Sequence, residues 1–228
     1  MKINMKKKIE KTEIKNEFYD LVKPLASDDE LNAINKLYSS DLMAKMAAFH
    51  PDEPWIQTHT GMRFNPTNPV LDAIVIEDIA HALSMQCRFS GHTSEFYSVA
   101  QHCVGVSHVC DSKDAAWGLM HDASEAYLVD IPSPLKRSGT FDVYLKFELQ
   151  LQNLICKRFD LPETEPESVK KADKILLAME ARDLMAPLRA DWTTLVEPLP
   201  FTITPLAPNE AKKLFLSRFN ELFKPKYD

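Results

Sequence analysis

Apolar residues recur at i, i+3 and i+4 through five long stretches of this chain: Ile76 to Cys87, Tyr97 to Cys110, Asp114 to Tyr127, Phe141 to Phe159 and Glu167 to Leu184. That period lines one face of an α-helix. A chain so patterned is confined to an all-α fold in which helices bury those faces against one another. Ile131-Pro132-Ser133-Pro134 stops the third stretch from running on, because two prolines two apart remove donors and fix the backbone. Val196 to Pro208 is Pro-rich and predicted extended, and Asn209 is placed to cap a last amphipathic helix ending near Phe223. The one stretch predicted to carry β-structure lies between Pro51 and Pro69. There Trp55-Ile56-Gln57-Thr58 and Met62-Arg63-Phe64 are short enough to pair as a small hairpin near residues 55–64. The expected architecture is a compact helical bundle with an irregular elbow.

Two regions are expected. Residues 1–50 form an N-terminal helical extension, Lys/Glu-rich to about residue 27, where Ser27-Asp28-Asp29-Glu30 resembles a capping box opening a helix through about Ala48. Its apolar stripe of Leu31, Ile34, Leu37 and Leu42 needs a partner, either the same chain or a second copy in a homo-oligomer. Residues 51–228 form a single compact domain, since 228 residues at 45% hydrophobic suffice for one sizeable core and a pocket.

With 27 basic and 33 acidic residues the formal charge is −6, which offers no bulk attraction to a nucleic-acid polymer or an anionic membrane. A small diffusible substrate is therefore expected. The five glycines form neither a dinucleotide-binding nor a P-loop pattern, so phosphate would have to be held by other groups. Cys87, Cys103, Cys110 and Cys156 make no C-x-x-C pair and are predicted free thiols, as in a reducing cytoplasm. The basic start is not followed by an apolar run, and no stretch approaches the roughly 20 apolar residues of a membrane span. The expected location is the cytoplasm, that of the host for a phage-encoded chain.

The strongest chemical signal is Leu119-Met120-His121-Asp122-Ala123-Ser124-Glu125. On a helix His121 and Glu125 stand four apart and Asp122 and Glu125 three apart, which brings an imidazole and two carboxylates to one surface. Beside Trp117, Leu119 and Met120 such groups are penalised by a few kcal/mol unless bonded or metal-bound. An ion that activates water needs several His and carboxylate ligands from converging helices, with positions left open. His102, in Ser98-Val99-Ala100-Gln101-His102, and Asp173, in Lys170-Lys171-Ala172-Asp173, complete a candidate set. His50, His59, His81 and His108 are set aside as surface or hydrogen-bonded residues. Trp117, Phe147 and Phe159 are predicted core, and Lys170, Lys171 and Lys174 a solvated helix face.

The order His102, His121-Asp122, Asp173 resembles the HD-domain metal-dependent phosphohydrolases. His121-Asp122-Ala123-Ser124-Glu125 followed by Asp130-Ile131-Pro132-Ser133-Pro134-Leu135-Lys136 is similar to the bacterial 5′-deoxynucleotidase branch. Cys87-Arg88-Phe89-Ser90-Gly91-His92 and Tyr97-Ser98-Val99-Ala100-Gln101-His102 are closer to phage-type members, which include dATP triphosphohydrolases. The similarity covers roughly residues 55 to 190. It implies the helical bundle of that superfamily, with His102, His121, Asp122 and Asp173 ligating one divalent ion and Glu125 as the catalytic carboxylate. Arg88 would hold phosphate and take part in catalysis, and Asp130 would lie by the sugar. Phe89 stands where the deoxynucleotidases carry a tryptophan, and Gln101 where some relatives carry an acidic residue. Lys136, Arg137 and His92 are further candidates for neutralising phosphate. Mixed nitrogen and oxygen ligation suits Mn, Co, Zn, Fe or Mg.

The implied reaction is hydrolysis of a 2′-deoxynucleotide at the phosphorus next to the sugar. The phage-type phrasing points first to a triphosphate, dATP among them, giving deoxynucleoside and triphosphate. The alternative is a 5′-deoxynucleotidase giving deoxynucleoside and phosphate. A third class, a nucleotide sensor that keeps the ion but not turnover, is opposed by the intact Glu125.

Overall fold

The structure, a computed structural model, describes residues 54–187 and 196–223. The predicted N-terminal extension, its capping box and its apolar stripe lie outside the described residues. The described part is predominantly α-helical with one two-stranded antiparallel hairpin, as the apolar periodicity requires.

Strands β1 (Ile56–Gln57) and β2 (Arg63–Phe64) pair with Ile56 opposite Phe64 and Gln57 opposite Arg63. Gly61 turns the chain between them at φ 85, a left-handed conformation that suits glycine. The hairpin is fixed to the bundle by buried Asp78, which accepts hydrogen bonds from Thr60 N at 2.7 Å and Thr60 Oγ1 at 2.8 Å. Phe64 stacks on Tyr127 with ring centroids 4.0 Å apart.

Among the described residues eight α-helices follow: α1 (Ile76–Met85), α2 (Val99–Val109), α3 (Ala115–Met120), α4 (Glu125–Leu128), α5 (Ser133–Lys136), α6 (Asp142–Arg158), α7 (Glu167–Leu184) and α8 (Pro208–Leu222). Helix α2 is the centre of the packing, in contact with α1, α3, α7 and α8. Ser98 caps it, accepting from Gln101 N at 3.2 Å, as Ser favours at this position. Val106, Trp117, Cys156, Leu176 and Met179 form one continuous buried cluster across four helices. All four cysteines are free thiols, and no helix among the described residues is long and apolar enough to cross a membrane.

Helices α2 and α3 approach closely because Gly118 faces α2. A Cβ there would stand 2.9 Å from Cys110 Sγ and 3.1 Å from Ser107 Cα, closer than ordinary carbon contacts.

Three expectations are corrected. The predicted continuous helix from Asp114 to Tyr127 is broken: α3 ends at Met120 and α4 starts at Glu125. Between them the chain winds tightly, with Ala123 N bonding Met120 O and Glu125 N bonding Asp122 O in i to i−3 steps. Residues three apart eclipse in such a turn, so Asp122 and Glu125 remain neighbours while His121 and Glu125 leave helical spacing. The cap of α8 is Ala207 rather than Asn209. Pro208 occupies the first turn, where its missing donor is harmless, and the Glu210 carboxylate accepts from Ala207 N at 3.2 Å. Of the three aromatic residues predicted as core, Trp117 is buried, whereas Phe147 and Phe159 are half-buried. Phe159 packs at the rim against Phe219 and Phe223.

Candidate metal centre

His102 is fully buried on α2, and its ring is fixed from behind: Nδ1 lies 2.6 Å from Glu180 Oε1 of α7. His121, just past α3, donates from Nδ1 to the carbonyl of Gly118 at 2.8 Å. A carboxylate and a carbonyl can only accept, so both Nδ1 atoms carry protons and both Nε2 atoms face the same point. They meet 3.2 Å apart. Asp122 Oδ2 comes within 3.2 Å of His121 Nε2 and 3.8 Å of His102 Nε2, and Asp173 Oδ1 within 3.2 Å of His102 Nε2. His102, His121 and Asp122 thus offer three ligand atoms all within 4.8 Å of one another.

The donor set fits a divalent cation. Ligand atoms about 2.1 Å from one ion and at right or tetrahedral angles stand roughly 3.0–3.4 Å apart, close to the spacings here. Their second atoms are bonded outward to Glu180 and Gly118, the arrangement that orients metal-binding imidazoles. The electrostatics also call for positive charge. Burial disfavours a proton on His121, yet Asp122 beside it raises the imidazole well above its usual range. Burial likewise works against ionised Asp122, but His121, His102 and Arg88 outweigh it and hold the carboxyl well below its usual range. A proton on His121 and a metal ion are alternative ways to meet the same demand, so metal binding would expel that proton.

Around this cluster stand Arg88, Glu125, Asp130 and Glu165. Arg88 donates from Nε to Glu180 Oε2 at 3.1 Å, and its NH1 lies 3.6 Å from Asp122 Oδ2. Burial opposes its charge, but Glu180 and Asp122 overrule burial and raise its pKa. Phe89, Ser90 and Gly91 after it all have positive φ, so the loop turns sharply just beyond the guanidinium. The Arg88 guanidinium lies over the half-buried Phe89 ring at 5.4 Å. Glu125, 7% exposed, is pushed well above the ordinary carboxylate range, first by burial and then by Asp122 and Asp130. Glu165, half-buried before α7, is also raised by burial, with His121 opposing.

Asp130 and Lys136 meet each other across the elbow. Lys136 Nζ bonds Asp130 Oδ1 at 2.9 Å and Glu148 Oε1 at 2.7 Å. The Tyr144 hydroxyl donates to the carbonyl of Val129, whose φ of 60 is strained for a β-branched residue. His92 is exposed at the end of the Arg88 loop, its backbone N bonding Phe89 O. The set-aside His59 and His81 stack on each other with ring centroids 3.6 Å apart.

Sequence reasoning overlooked Glu180. Its signal was its position seven residues after Asp173, two helical turns on and therefore on the same face, within an otherwise apolar run. The partners of Lys136, Glu148 and Tyr144, were overlooked as well; nothing local marks them.

No family model matches the chain. The uncharacterized protein YfdR of Escherichia coli (strain K12) is 44% identical over 172 residues, 74% of this chain and 95% of that protein. An uncharacterized protein of Rhodobacter capsulatus is 28% identical over 189 residues, 75% of this chain and 96% of that protein.

Proposed function

The chain belongs to the family of the Escherichia coli protein YfdR, and from that premise we propose that it is a metal-dependent phosphohydrolase of the HD-domain type. Its substrate is a 2′-deoxynucleotide, cleaved at the phosphorus next to the sugar. The observation that carries this reading is the convergence of His102 Nε2, His121 Nε2 and an Asp122 oxygen, with Asp173 alongside and Arg88 and Glu125 at the edge. The resemblance in the order of these residues supplies the reaction class.

A bound divalent ion supplies Lewis-acid polarisation of a phosphoryl oxygen and an acidified water. Arg88, anchored through Nε, presents its NH1 and NH2 end to the phosphate and neutralises charge gathering there as the P–O bond breaks. Burial raises the Glu125 carboxyl well above its ordinary range, which suits it to hand a proton to the departing 5′ oxygen while water oxygen bonds to phosphorus. Asp130 is the group offered to the sugar, and Phe89 the apolar surface beside it.

The monophosphate is the substrate these residues serve best. Arg88, already shared with Glu180 and Asp122, can turn its free edge to one phosphate group, and Lys136 is taken up by Asp130 and Glu148. A triphosphate brings further negative charge that these two residues are poorly disposed to meet. The triphosphate reading rests on the similarity of the Arg88 and His102 segments to phage-type members. A turnover screen of dNMPs, dNTPs and NTPs with Mn, Co, Zn, Fe and Mg, products resolved by chromatography, tests both. Phosphate released from dNMPs supports the deoxynucleotidase, triphosphate released from a dNTP moves the assignment to the triphosphohydrolase, and no turnover with any ion overturns the enzyme reading.

A further inference from the structure

Glu180 is the most deeply buried charged group beside the metal centre, with no exposed surface at all. Stripping a carboxylate of water is penalised by several kcal/mol unless every oxygen is bonded. Here the two oxygens divide the work: Oε1 faces His102 Nδ1 at 2.6 Å, and Oε2 accepts from Arg88 Nε at 3.1 Å. The Tyr97 phenol, also buried, lies beside the same carboxylate, and burial followed by Glu180 raises its pKa. One side chain thus joins α2, α7 and the loop after α1.

We infer that Glu180 is the positioning residue that sets the metal-binding tautomer of His102 and the phosphate-facing orientation of Arg88 at once. The inference rests on the metal-centre reading above. A negative, acceptor-only group behind His102 keeps the proton on Nδ1 and leaves the Nε2 lone pair aimed at Asp122, Asp173 and His121. The same group takes Nε of Arg88 and turns the NH1 and NH2 edge toward the cluster, NH1 lying 3.6 Å from Asp122 Oδ2, where that edge can meet two oxygens of a tetrahedral phosphate. Glutamine cannot repeat this. Its amide has one accepting end and one donating end, so one of the two bonds becomes donor against donor. With the nitrogen toward His102, the imidazole must move its proton to Nε2 and loses its ligand atom. With the nitrogen toward Arg88, the guanidinium is released.

The test uses the full chain, stripped of metal and titrated with Co2+ alone by calorimetry and by its visible absorption, for wild type, Glu180→Gln, Glu180→Asp and His102→Ala. Expected are a loss of Co2+ affinity of about ten- to a hundredfold in Glu180→Gln, a changed Co2+ spectrum, and partial recovery in Glu180→Asp. If His102→Ala loses the ion while Glu180→Gln binds as wild type does, the positioning role is wrong and the metal centre stands. If His102→Ala binds Co2+ like wild type, the metal-centre reading itself falls. Long-range proton–nitrogen spectra of the histidine-labelled, metal-free wild type give an answer independent of how the variants fold. His102 is expected to carry a proton on Nδ1, the atom facing Glu180, whatever Nε2 holds, and an Nδ1 found bare overturns the inference.

Discussion

Replacing Gly118 by alanine probes the contact on which the candidate metal centre is built. In an open helix the exchange stabilises by roughly 1 kcal/mol, because glycine loses more freedom on folding. At Gly118 the new methyl would stand 2.9 Å from Cys110 Sγ, 3.1 Å from Ser107 Cα and 3.3 Å from Ser107 N. Two of those atoms are backbone of α2, so the clash is relieved by moving a helix, and overpacking of this kind costs about 1–3 kcal/mol. With two backbone atoms and a buried sulfur met at once the clash falls in the upper part of that range, about 2–3 kcal/mol, which leaves a net loss of about 1–2 kcal/mol, or a fall in Tm of about 2–8 °C for a chain of this size. Gly105→Ala is the matched control, since its nearest neighbour is the end of the Leu176 side chain at 2.9 Å, which can rotate away. That variant should stay within about 1 kcal/mol of wild type. Adding Cys110→Ala to Gly118→Ala should restore only part of the loss, because the Ser107 contacts remain. The Gly118 carbonyl also holds His121 Nδ1, and His102 rides on the helix that must shift. Weaker Co2+ binding should therefore accompany the lower Tm. A calorimetric melt showing Gly118→Ala as stable as wild type, or more so, would refute the close approach of α2 and α3 and the reasoning drawn from it.

Alanine at His121 or Asp122 should remove most of the bound divalent ion, measured by elemental analysis after dialysis, and lower turnover at least a hundredfold. Glu125→Gln should lower kcat by about two to four orders of magnitude while leaving the ion in place; unchanged kcat would clear Glu125 of a proton-transfer role. The same variant should be more stable than wild type near neutral pH without metal. The raised Glu125 pKa means that folding holds a proton the unfolded chain releases, so wild-type stability falls as pH rises from the ordinary carboxylate range through the folded pKa. Below that range the two proteins should melt together, and equal melting at all pH values would contradict the assigned burial. Lys136→Met should leave Asp130 and Glu148 without the cation they share across the elbow, raising KM more than it lowers kcat; a pure kcat effect in steady-state kinetics would place Lys136 at the reacting phosphate instead.

The helices were legible because their apolar stripes are long; α7 begins and ends at the predicted Glu167 and Leu184, and α2 and α6 lie within two residues of expectation. The break after Met120 was not, because the i−3 bonds through His121-Asp122-Ala123-Ser124 leave an apolar and polar sequence that suits a straight helix equally well. His102, His121 and Asp122 were legible as a set because polar residues on apolar faces are expensive to bury, and the structure brings their ligand atoms within 4.8 Å. Glu180 follows the same logic as the one charge in the run Ile175 to Ala181, but Arg182 and Asp183 directly after that run make it resemble the start of a solvated helix end. The ion pairs of Lys136 depend on where α6 lies relative to the elbow, a tertiary relation that no local pattern encodes.

Gln101, the residue immediately before His102, uses both ends of its amide on the extended segment ahead of α8: Nε2 donates to Thr204 O at 2.8 Å, and Oε1 accepts from Leu206 N at 2.9 Å. During synthesis every residue named at the metal centre leaves the ribosome before this segment does. The helix carrying His102 therefore receives its outer brace after its ligands are already made. A product interrupted before Thr204 would contain the whole chemical inventory of the site without the tie that steadies one wall of it. Such a fragment would test how far ligand identity alone, without the finished scaffold, can capture an ion.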